Sequence, residues 1–178
     1  MPTFFSGLPL HVLVVHATVV LVPLAAAGSG VIAISPAIRR RYWWLVVAAT
    51  GAAVISVPLA TETGDGLRAR LEPSTKIARH ADLGGELVFF VVPLLVAVTA
   101  LALLDLYQRP SRRSDGGIMT TEGAATGTAR WIRPVSLILA VATLVLAVGS
   151  AVQVIRVGDA GARAAWGDER YVTPTGGD

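Results

Sequence analysis

Apolar residues in this chain fall into four long runs, at about 10–34, 42–60, 86–106 and 134–155, separated by polar stretches. Each run approaches or reaches the roughly 20 residues that a helix needs to cross about 30 Å of hydrocarbon. The pattern predicts an all-α integral membrane bundle of four helices within residues 1–155. Small residues recur inside the runs, as in Ala25–Gly30, Ala48–Ala53 and Ala147–Ala151. Their expected role is close helix packing. Pro9 suits an initial helical turn, whereas Pro23 and Pro93 are expected to bend the first and third spans.

The connections differ in character. Between the second and third spans, TETGDGLRARLEPSTKIARHADLGGE is charged and longer than a tight hairpin needs, with Gly64 and Gly66 suiting a helix end. Residues Lys76 to Glu86 are predicted as a helical lead-in to the third span. Residues 108–130 are Gly/Ser/Thr-rich and are predicted as a flexible cytoplasmic loop. Residues 156–178 are expected to form an extracytoplasmic tail, with a short surface helix ending near Trp166 and a disordered terminus.

Composition supports the membrane class: 53% of residues are hydrophobic, only 15% are charged, and the mean hydropathy is +0.64. A net charge of +3 would suggest nucleic acid in a soluble protein. Here the basic residues cluster beside spans, so nucleic acid is excluded as a partner and the lipid bilayer is expected. Orientation by basic residues is close, with eight in the first and third connections and seven elsewhere. The Arg39–Arg41 triplet against the first span decides it, and both termini are expected outside a multi-pass protein of the cell membrane. Tyr42, Trp43, Trp44 and Trp131 fit an aromatic belt at the inner surface. No basic residue precedes the first run, so a removable signal peptide is not expected.

Absence of cysteine removes thiolate nucleophiles, c-type haem attachment and Cys-ligated centres. No phosphate-binding glycine loop or Ser/His/Asp order is present, and no catalytic residue is assigned. Asp105 is expected to be a solvated boundary residue, leaving no charge within the bilayer and no sign of a transporter.

Candidate chemistry rests on three histidines. His11 and His16 lie about 140° apart around an ideal helix and about 7.5 Å along it, so they do not share a face. His16, the deeper of the two, is expected to face the bundle interior. His80 follows the second span on the same outer surface, with Glu62, Asp65, Asp82, Glu86, Asp159 and Asp168 nearby. His16, His80 and His11 are therefore the candidate cofactor ligands, with Asp159 and Glu62 added for a metal ion. A haem b or a divalent transition metal fits such donors, whereas three histidines cannot serve two bis-histidine haems. The competing readings are a proton relay or plain packing, with His16 bonded to a carbonyl or to a hydroxyl such as Thr18 or Thr61.

The chain also resembles the domain of unknown function 2231 family. That resemblance rests on LPLHVLVVHATVVLVPLAA at Leu8–Ala27, TETGDGL at Thr61–Leu67, RHADLGGEL at Arg79–Leu87 and GDAGARAAW at Gly158–Trp166. It covers nearly all the chain except the third connection and implies a four-helix membrane bundle without an activity. Val12 stands where the family has proline, and Asp159 where it has a C-terminal histidine. Two functional expectations remain: a non-enzymatic electron-transfer or respiratory accessory protein with a haem or metal, or a cofactor-free structural subunit docking other membrane subunits or itself.

Overall fold

The computed structural model describes residues 4–5, 8–108 and 125–167. A two-residue antiparallel pairing of β1 (Phe4–Phe5) with β2 (Leu8–Pro9) leads into five helices: α1 (Leu10–Ile34), α2 (Pro36–Arg68), α3 (Thr75–Glu86), α4 (Val88–Tyr107) and α5 (Ala125–Trp166). Four segments are long and apolar enough to cross a membrane: α1, α2, α3 with α4, and most of α5. The protein is a multi-pass helical membrane protein.

Local chemistry explains the joints. A single residue, Ser35, separates α1 from α2; its Oγ accepts from the Ile38 N–H at 3.5 Å, and Pro36 occupies the first turn. Helix α2 consequently starts six residues before the expected span, and it continues past Gly64 and Gly66 to Arg68. The lead-in predicted at Lys76–Glu86 is α3, which passes into α4 through one tightened turn at Leu87, where the N–H bonds the Gly84 carbonyl at 3.2 Å. Helix α5 runs unbroken through residue 155, the expected limit of the bundle, to Trp166. The predicted loop 108–130 lies mostly outside the described residues, although 125–130 is helical; Asp168 and the terminal residues are also outside them.

Helix α1 packs along α2 and α5, and α3–α4 packs along α5 and α2, closing a ring of four spans. Val22 and Ala25, Ala53 and Val57, Leu87 and Val91, and Val154 form the main core, each span contributing at least one residue. Most buried hydroxyls are satisfied within their own helices, as where Thr50 donates to the Val46 carbonyl and Thr143 to the Leu139 carbonyl, both at 2.7 Å, whereas Ser29 Oγ has no hydrogen-bond partner. Large apolar side chains such as Val20, Leu24, Ile55, Phe89, Leu137 and Ile155 are exposed. In a four-span protein these are the surface offered to lipid.

The two halves repeat one another in register. Buried Thr18, Val22, Ala25, Ser29, Ile32 and Ala33 of α1 recur 69 positions later as buried Leu87, Val91, Leu94, Val98, Leu101 and Ala102. Buried Thr50, Ala53, Ser56, Val57 and Thr63 of α2 recur 97 positions later as Ala147, Ser150, Gln153, Val154 and Ala160. Exchanging the halves preserves both the neighbours and the buried positions, which is the property of parallel repeats related by a twofold axis along the membrane normal.

Candidate histidine site and its relatives

His11 is the second residue of α1 and His80 lies within α3. They are equivalent positions of the two repeats, 69 apart, and their rings meet edge to face with centroids 6.3 Å apart and planes at 76°. A residue that touches its own equivalent must lie on the axis relating the copies. This pair therefore marks the centre of one end of the bundle.

Each ring is held in the same way. His11 Nδ1 lies 3.0 Å from the Ala60 carbonyl oxygen, and His80 Nδ1 lies 3.0 Å from the Val157 carbonyl oxygen. Since a carbonyl only accepts, both Nδ1 atoms carry the proton and donate it. The lone pair is then on Nε2 in each case. Four residues beyond each carbonyl stands a glycine. A Cβ at Gly64 would come within 3.0 Å of His11 Cε1, and one at Gly161 within 3.0 Å of His80 Cε1. Residue i+4 flanks the carbonyl of residue i on a helix, so only a missing side chain lets an imidazole reach that oxygen. Glycine at both positions leaves the room that this close approach uses.

His16 is placed differently from expectation. It is exposed, and its Nδ1 donates to the Val12 carbonyl of its own helix at 2.6 Å. The cause is the angular offset from His11: α1 turns His11 inward toward α2 and thereby turns His16 out. Its repeat equivalent is Gly85, so the duplication does not use that position. Neither suggested hydroxyl partner serves it, because Thr18 donates to the Val14 and Ser56 carbonyls and Thr61 to the Val57 and Pro58 carbonyls.

The wider donor set does not assemble. Among the described residues no group of three or more His, Asp or Glu side chains is placed to hold a metal ion. Glu62 is exposed, and Asp159 is exposed with its Oδ2 accepting from Arg163 Nε at 2.9 Å. Asp159 therefore turns to its own helix, and the polar site reduces to His11 and His80. Glu86, another member of the expected acidic cap, accepts from Gln153 Nε2 at 3.2 Å; that amide also donates to the Leu83 carbonyl at 3.0 Å, tying α5 to α3.

At the opposite end a charged pair is buried, where the sequence suggested a solvated Asp105. Arg39 and Asp105 are 5% and 9% exposed. Arg39 Nη1 donates to the Ile32 carbonyl at 2.8 Å and Nη2 to Asp105 Oδ1 at 3.4 Å, while the exposed Arg40 places Nε 3.9 Å from Oδ2. One arginine of the triplet is thus a structural ligand of α4's last turn. The available signal was weak: a lone acid near a span end facing an arginine run across the bundle.

A family model described as Predicted membrane protein (DUF2231) matches residues 7–174. The chain belongs to the DUF2231 family. Comparison with curated proteins and with solved structures gives no match. The stretches Leu8–Ala27, Thr61–Leu67, Arg79–Leu87 and Gly158–Trp166 supply His11, Gly64, His80 and Gly161, so all four converge on the imidazole pair.

Proposed function

We propose that this DUF2231 protein holds one haem b between His11 and His80 and serves one-electron transfer at the cell membrane, as an accessory to a respiratory assembly. The observation that carries the reading is the pair itself: two symmetry-equivalent imidazoles, 6.3 Å between centroids, each with Nδ1–H committed to a backbone carbonyl. Metal-ligating histidines are oriented by such a bond, which fixes the tautomer and raises the basicity of the other nitrogen.

The number of donors favours haem over a bare ion. A structural or catalytic ion such as zinc draws three or four ligands from protein, whereas a haem would be held here by His11 and His80 alone. A haem held by His11 and His80 would supply one-electron chemistry. The chain's own contribution is to fix both tautomers, to clear space with Gly64 and Gly161, and to shield the site among helix ends. For the structural-subunit reading the small residues divide: Gly28 faces Val46 and Gly149 faces Phe90, whereas Gly51 meets nothing within 4 Å.

The test is the absorption spectrum and metal content of protein purified from membranes. A Soret band lost in both His11→Ala and His80→Ala, and kept in His16→Ala, is the expected result. Protein with neither a Soret band nor stoichiometric transition metal overturns the reading. The proposal also places the histidine end outside the cell. The chain has no cysteine, so single reporters at exposed Ala69 and Ala37 can test this. Ala69→Cys should react with an impermeant maleimide in intact cells, and Ala37→Cys only after lysis.

A further inference from the structure

Beside the histidine pair, α3 and α5 enclose an open cavity of about 560 Å³ lined by Thr75, Lys76, Arg79, Arg156, Asp159 and Arg163. Among the described lining residues, which also include Leu83 and Ala160, four are cationic and one is a carboxylate; that carboxylate accepts from Arg163, and Arg156 Nη1 donates to Gln153 Oε1 at 3.1 Å. Thr75 opens α3, a helix of 12 residues whose N-cap, Ser74, makes no side-chain capping bond. The positive end of the helix dipole therefore adds to the basic wall. The imidazole site uses none of these side chains.

Along α5 the positions 152, 156, 159 and 163 follow one another at helical spacing and share a face. Arg156, Asp159 and Arg163 line the cavity, while Val152, one turn deeper, is apolar and 51% exposed, with Ile155 beside it at 68%. The charged cavity thus passes directly into lipid-facing apolar surface. A soluble anion would satisfy only the upper part of such a site. A phospholipid satisfies both, with its phosphate among the cations and its chains over Val152 and Ile155.

We infer that the α3–α5 cavity binds an anionic phospholipid headgroup, holding one lipid against the histidine end of the bundle. Basic pockets between membrane helices select anionic headgroups through short-range attraction, worth roughly 1 kcal/mol, or about fivefold in affinity, per cation.

Native mass spectrometry of the full chain in detergent tests this with phosphatidylglycerol and phosphatidylcholine of equal chain length. The expected result is preferential retention of one phosphatidylglycerol, weakened about fivefold by Arg79→Gln and further by Arg79→Gln with Arg156→Gln. Arg79→Lys, which keeps the charge, should retain it, and Arg133→Gln at the other end of the bundle should have no effect. Equal binding of phosphatidylcholine overturns the inference. So does displacement of the lipid by millimolar inorganic phosphate, which would mark a site for a free anion. A loss in Arg133→Gln as large as in Arg79→Gln would do the same, by showing that only net charge matters.

Discussion

The two ends of the bundle bury polar groups in opposite ways. At the Arg39–Asp105 end, two full charges leave water and are committed to each other and to the Ile32 carbonyl. At the histidine end, two imidazoles each give one N–H to a carbonyl and leave a second nitrogen with its lone pair. A buried ion pair is costly to halve and offers nothing to a ligand. Each imidazole of the pair keeps a second ring nitrogen outside its carbonyl bond. The contrast sets a polar pair closed on itself against one that keeps hydrogen-bonding capacity, among described residues whose other buried polar side chains are mostly hydroxyls bonded within their own helices.

The largest effect should come from breaking the charged end. Arg39→Met leaves Asp105 buried without its guanidinium and should cost about 3–5 kcal/mol, read as a drop in the thermal unfolding midpoint in detergent. Replacing both partners, Arg39→Met with Asp105→Leu, should recover most of that loss, since two apolar groups leave no uncompensated charge. If the double variant is as unstable as the single one, the pair is not the cause.

Next in size is close packing. A Cβ at Gly149 would lie 2.9 Å from Phe90 Cδ1, so Gly149→Ala forces α5 and α4 apart and should cost about 1–3 kcal/mol. Gly161→Ala acts on the site instead, pushing the His80 ring off the Val157 carbonyl. It should lower cofactor retention measured by the Soret band, with about 1 kcal/mol lost from the fold. A Gly161→Ala protein that keeps both its His80 geometry and full loading would separate the glycine from the site. The smallest effect belongs to His16→Ala, which removes a bond to its own helix from an exposed position and should change stability by less than about 0.5 kcal/mol.

The sequence made the membrane class legible because transfer of apolar side chains into hydrocarbon is additive along a run and needs no partner. The same holds for α3, where Pro73, Ser74 and the periodicity to Glu86 mark a helix locally. His16 and Asp105 were read the wrong way round. Depth along a span can be counted from sequence, but which way a side chain points depends on how each helix is rotated against its neighbours. The duplication escaped for a related reason: the repeats share a histidine, a glycine and a buried register, but few residue identities between.

What the sequence determined by itself was four spans, the helical lead-in to the third and a short set of donors, since hydrophobic length, proline and capping residues act within one segment. Tertiary structure alone decided that His11 and not His16 meets His80, that Asp159 stands apart, and that Arg39 closes on Asp105. Those outcomes depend on the rotation and register of packed helices, which are fixed by contacts between residues up to 70 and more positions apart.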